Sequence, residues 1–147
     1  MKALALILAL SPGALLAQSL NEQLASAETI GVVEWRELTQ GKTVVYEVSG
    51  ETIGYESYHS DGKVTIRLDN GSCIDGTWFM EQSAFCFDWE GGPLNCFNHK
   101  RINDTIYVVG LFNGVETNDI QKVSRIANIP IACGPALLSS LVDPVIP

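Results

Sequence analysis

The chain has 147 residues, of which 46% are hydrophobic and 18% charged, and its 17 acidic against 9 basic side chains leave a formal charge of −8. That length suits one domain built on one core. The acidity argues against nucleic acid and anionic lipid headgroups as partners, and suits a cationic partner or plain solubility.

Met1 and Lys2 form a minimal positive start, residues 3–10 are an unbroken apolar run, and Ser11-Pro12-Gly13 interrupts it before Ala14-Leu15-Leu16-Ala17. This is the pattern of a secretory leader, with cleavage expected after Ala17. The run is shorter than the ~20 residues a spanning helix needs. Gln18 and Ser19 stand where a lipoprotein would carry its cysteine. No later stretch is long and apolar enough to span a membrane, so a periplasmic or secreted location is expected. The organisation is then a leader over residues 1–17 and one domain over residues 18–147, with an irregular tail from about residue 128. Loss of Lys2 leaves 8 basic against 17 acidic residues, a charge of −9 (8 − 17).

After the leader, Leu20 and Leu24 have helical spacing and predict a short helix within residues 19–30. The chain then turns to β patterning. Ser49-Gly50, Asp61-Gly62 and Asn70-Gly71 are dipeptides that supply positive φ in two-residue hairpin loops. Counting outward from each sets Tyr46 opposite Ile53 and Val44 opposite Tyr55. It sets His59 opposite Val64, Ser57 opposite Ile66 and Tyr55 opposite Leu68. It also sets Cys73 opposite Leu68 and Asp75 opposite Ile66, with Glu56 opposite Arg67 on the other face. In that register one apolar face carries Val44, Tyr46, Val64, Ile66 and Leu68. Trp78 would then point outward under strict alternation, so Gly76 is read as a β-bulge that turns it inward.

Farther on, a turn centred on Gly91 sets Cys86 opposite Cys96, and Phe85, Phe87, Trp89 and Phe97 alternate onto a shared aromatic face. Residues 105–112 are nearly all apolar and predict a strand buried on both faces. Residues 115–126 begin as a strand, while Ile120, Val123 and Ile126 have helical spacing that leaves the remainder open. The apolar, proline-rich end of the chain needs shelter, and Cys133 supplies it by bonding to Cys73.

Four cysteines in an exported chain favour disulfides. The pairs expected are Cys86 with Cys96 and Cys73 with Cys133. No C-x-x-C occurs, and His59 and His99 have no regular spacing to the cysteines, so neither a metal nor another cofactor is expected. Asn70 and Asn103 head glycosylation triplets that are read as turn residues, and Lys100-Arg101 is read as a solvated turn.

Seven or eight sequentially paired antiparallel strands make an up-and-down meander, which closes into a small barrel or folds into a sandwich. A closed or nearly closed barrel of the calycin-like kind is expected, because its edges pair and few charges point inward. Gly76-Thr77-Trp78, Cys86-x-x-Trp89 and Cys96-Phe97 together resemble the pattern of small exported proteobacterial proteins grouped as a domain family of unknown function. That resemblance covers about the middle third of the chain and implies no activity. Gly76-Thr77-Trp78 is also similar to the Gly-x-Trp signature of lipocalins, which carry it near their first strand.

The turn-derived register points Tyr55, Ser57, His59 and Asp75, with Trp78, into the barrel among apolar residues, which is how a small-ligand site is built. Ser57, His59 and Asp75 are also the residue types of a hydrolase triad. No nucleophile elbow or oxyanion segment accompanies them, so no enzymatic activity is expected. The reading is a binding module for a small, partly apolar molecule. The alternative is an interaction barrel, such as an inhibitor of a basic cell-envelope enzyme, suited by the acidity and the disulfides.

Overall fold

A computed structural model describes residues 18–134. The expected leader, residues 1–17, and the tail beyond residue 134 lie outside the described residues. The predicted first helix is α1, Leu20–Ala25. Ser19 caps it by accepting from the Glu22 N–H, while the Glu22 carboxylate accepts from the Ser19 N–H. This reciprocal pair satisfies two N–H groups that a helix start leaves unpartnered. Strand β1, Glu28–Thr29, leads into α2, Val32–Thr39, an element the sequence reading did not include. The spacing of Val32, Trp35 and Leu38–Thr39 puts its buried positions on one helical face.

Eight antiparallel strands follow: β2 Thr43–Val48, β3 Glu51–Tyr58, β4 Lys63–Leu68, β5 Cys73–Glu81, β6 Ala84–Trp89, β7 Leu94–Ile102, β8 Thr105–Phe112 and β9 Val115–Ala127. Each pairs with the next, and β9 returns to pair with β2, closing an up-and-down barrel. Among the described residues, closure leaves no long unpaired edge, which is the stable outcome for a meander with one apolar face. β9 is a strand throughout, so the helical spacing within it is incidental. β8 is buried on both faces only at its centre, through Val108, Val109 and Gly110, and Phe112 at its end is 71% exposed.

The register differs from the expected one by a single residue at three places. Tyr58 pairs with Val64 and Arg67 with Cys73, so the loops are Ser60-Asp61-Gly62 and Asp69-Asn70-Gly71, three residues each rather than two. Gly62 and Gly71 close them at φ 78° and 86°, the left-handed last position of a three-residue hairpin loop. The Ser49-Gly50 loop does have two residues, but Ile53 is bulged out between Thr52 and Gly54. β2 and β4 therefore keep their expected inner faces, and β3 and β5 are inverted. Gly54, Glu56 and Tyr58 point inward from β3, and Ile74, Gly76 and Trp78 share the inner face of β5. Trp78 is buried as expected, 8% exposed, but by plain alternation. No register shift interrupts β5 at Gly76.

Both disulfides form as expected, Cys86–Cys96 within the β6–β7 hairpin and Cys73–Cys133 between β5 and the C-terminal segment. That segment crosses the outside of the sheet from Thr43, whose hydroxyl donates to Ile129 O, to Arg67, whose Nε donates to Ala132 O. Lys100 is not in a solvated turn. It lies in β7, 7% exposed, and donates from Nζ to the Leu24 carbonyl at the end of α1 (2.9 Å) and to Glu116 (2.8 Å). Arg101, beside it, donates to Glu34 of α2.

The two crosslinks should contribute unequally. They close 60 and 10 residues, for which chain entropy gives about 4 and about 3 kcal/mol. Denaturant titration of the Cys73→Ser/Cys133→Ser protein should show the larger loss. A larger loss from Cys86→Ser/Cys96→Ser would show that the tether adds little.

Candidate ligand-binding cavity

The barrel interior divides into a filled half and an open half. In the filled half, α2 lies across the barrel end and drives Trp35 inward against Tyr58, Phe85 and His99, with ring centroids at 5.7, 6.1 and 4.3 Å. The approach to α2 is pinned to β7 by the Ile30 N–H, which donates to the His99 carbonyl (2.9 Å), and by Arg101 on Glu34. His99 is wholly buried, and neither of its ring nitrogens has a hydrogen-bond partner among the described residues. Burial alone pulls its pKa down to about 3, so the ring is neutral.

The other half holds a cavity of about 200 Å³. Glu56, Tyr46, Ile66, Phe87, Trp89 and Phe97 line its floor and walls, with Leu68, Asn95 and Gln121 toward the mouth. The Ile53 bulge puts Glu56 here, because it inverts β3 and turns a residue expected on the surface into one that is 5% exposed. Gly76 sets the Trp89 wall. A Cβ on that glycine would lie 2.7 Å from Trp89 Cε3, so only a residue without a side chain lets the indole rest there. Phe87 stacks on Trp89 at 5.8 Å and meets Phe97 edge-on at 5.9 Å.

At the floor, Tyr46 Oη donates to Glu56 Oε1 (3.4 Å) and lies 3.2 Å from Tyr58 Oη. Burial raises the Glu56 pKa to about 7, against the opposing pull of the two tyrosine hydroxyls. Burial, and next the Glu56 charge, hold both tyrosines well above their usual range, so they remain protonated donors. The described ion pairs do not include Glu56. The arrangement can hold an apolar group against aromatic walls and a polar or charged group against one carboxyl.

Of the expected site residues, Tyr55, Ser57, His59 and Asp75 are together, but on the outer face. Tyr55 lies under the Arg67 guanidinium (5.9 Å). Ser57 bonds to Thr43 (2.8 Å), while Thr65 donates to Asp75 (2.6 Å) and meets His59 Nε2 (3.1 Å). With the Thr65 proton on Asp75, the imidazole donates to Thr65, and Ser57 is bonded elsewhere. The three residue types of a triad are adjacent without forming its relay. Trp78 is inside, in the filled half against Tyr58 and Phe85, and is not part of the cavity lining. Concavities of about 910 and 620 Å³ beside the outer row are larger than the interior cavity. They lie along the outer surface of the sheet, so their volume measures surface relief rather than enclosure.

Glu56 was missed as a site residue because the phase of β3 depends on one bulge, whereas Tyr46 was on its expected inner face and gained its role only from the Glu56 beside it. The α2 plug did have a signal, the Val32, Trp35, Thr39 spacing. No family model, curated protein or solved structure matches the chain.

Proposed function

We propose that this chain is an exported binding module that holds a small, partly apolar molecule in the open half of its barrel. The observation that carries the reading is the cavity itself, about 200 Å³ with aromatic walls and one buried carboxyl at its floor. A cavity of roughly 150 Å³ accepts benzene, so the expected ligand has on the order of ten non-hydrogen atoms. The leader pattern and the two disulfides support export to an oxidising compartment.

Methyl-detected NMR titration with benzyl alcohol tests this. The Ile66, Leu68 and Val108 signals should shift together, with Kd on the order of 1 mM or tighter. Leu68→Trp should fill the mouth and weaken binding at least tenfold. Unmoved cavity methyls in the parent protein would refute the reading.

A second reading rests on the β8–β9 hairpin tip, where Phe112 and Val115 are 71% and 68% exposed around Asn113-Gly114. An apolar tip on an acidic barrel suits an inhibitor-like contact with a basic envelope enzyme. Phe112→Ser/Val115→Ser would abolish inhibition of a basic cell-wall lytic enzyme if that reading is correct, and would leave benzyl alcohol binding unchanged.

A further inference from the structure

Resting on the cavity reading above, we propose that the occupant is a small organic cation, its ammonium group on Glu56 and its apolar part along Phe87, Trp89 and Phe97. A carboxyl at the floor of an aromatic cavity is a poor design for a purely apolar ligand, since burying an ionised carboxylate without a counter-charge is costly. Aromatic faces carry negative potential and attract cations, so walls and floor favour the same ligand charge.

Among the described residues, no group supplies that charge from within. Tyr46 of β2 and Tyr58 of β3 face Glu56 as neutral donors. Ile66, Phe87, Phe97, Val108 and Gln121, from β4, β6, β7, β8 and β9, complete the surround without a Lys, Arg or His. His99 of β7 lies in the filled half against Trp35 and Phe85 and is neutral. On α2, Arg36 sits over the Trp78 ring and Glu34 is paired with Arg101. The charge complement of Glu56 therefore comes from the ligand.

Binding is then linked to ionisation of Glu56. The empty cavity holds the proton to about pH 7, and a cation displaces it. Proton release should approach roughly one per ligand at pH 6 and fall to about a tenth at pH 8, with affinity dropping about tenfold per pH unit below 7.

The test compares benzylamine, charged across this range, with benzyl alcohol of nearly the same shape. Methyl-detected NMR would give affinities and calorimetry in two buffers the protons released. Benzylamine should bind at least tenfold tighter than benzyl alcohol at pH 8 and lose that advantage by pH 5. Glu56→Gln should remove the preference while still binding benzyl alcohol. If that variant does not fold, the pH dependence and proton release of the parent protein decide the matter. Equal binding of the two compounds at pH 8 would overturn the cation assignment and leave the cavity reading intact. Failure of both to move the cavity methyls would overturn the two together.

Discussion

Trp35→Ala should destabilise the barrel by about 5 kcal/mol, at the upper end for removal of a buried aromatic, and lower Tm by about 15 °C. The indole is completely buried and touches aromatic rings from β3, β6 and β7. It is the residue by which a helix of only eight residues is held across the barrel end. A helix that short has little stability of its own, so its position comes from this contact, from Arg101 on Glu34 and from the Ile30 bond to β7. Truncation leaves a hole lined by rings that cannot collapse together, because each belongs to a different strand of a closed sheet. Glu37→Ala, on the exposed side of α2, is the control and should change stability by no more than about 0.5 kcal/mol. Equal losses from the two substitutions would show that the plug does not hold the barrel.

The pH dependence of stability should carry two opposing limbs set by the two buried titrating groups. His99 has its pKa lowered from 6.5 to about 3 by burial. As pH falls through 6.5 the unfolded chain takes up a proton that the barrel refuses, so stability is lost down to about pH 3. The full effect is on the order of 5 kcal/mol. Glu56 has its pKa raised from 4.5 to about 7. As pH rises through 4.5 the unfolded chain releases a proton that the barrel retains, so stability falls until about pH 7, by on the order of 3 kcal/mol. Between about pH 4.5 and 6.5 the slopes oppose and nearly cancel. The expected profile is flat there, steep on the acid side and gently declining toward neutrality. Denaturant titration across pH would check it. His99→Phe should flatten the acid limb, since neither imidazole nitrogen has a hydrogen-bond partner among the described residues, and Glu56→Gln should remove the decline toward pH 7. An acid limb unchanged by His99→Phe would mean that the ring gains its proton without unfolding.

The proposed cation linkage and the expected stability profile have one origin. A carboxyl buried at the floor of an aromatic cavity weakens the barrel near neutral pH, and the same burial would make it a strong partner for a ligand that brings a positive charge. Filling the site should therefore stabilise the protein most at the pH values where the empty form has lost most.

Local chemistry made much of the fold legible. The turn glycines and the apolar alternation marked the antiparallel meander from residue 43 to 112. The Gly91 turn put Cys86 against Cys96, and that pairing left Cys73 for Cys133. Leu20 and Leu24 marked α1. Those features depend on residues close in sequence, or on a cysteine with one remaining partner. What lines the interior was decided elsewhere. Side chains alternate with a period of two, so one extra residue in the loops ending at Gly62 and Gly71, and one bulged residue at Ile53, exchange the faces of β3 and β5. Both loop lengths are compatible with Asp-Gly and Asn-Gly. The choice between them follows from closure, because only one phase brings Tyr58, Trp78 and Phe85 together around Trp35 and leaves Ser57 and Asp75 on the outer face. That contact joins residues 35, 58, 78 and 85 from four elements, and its energy exists only when the barrel is closed.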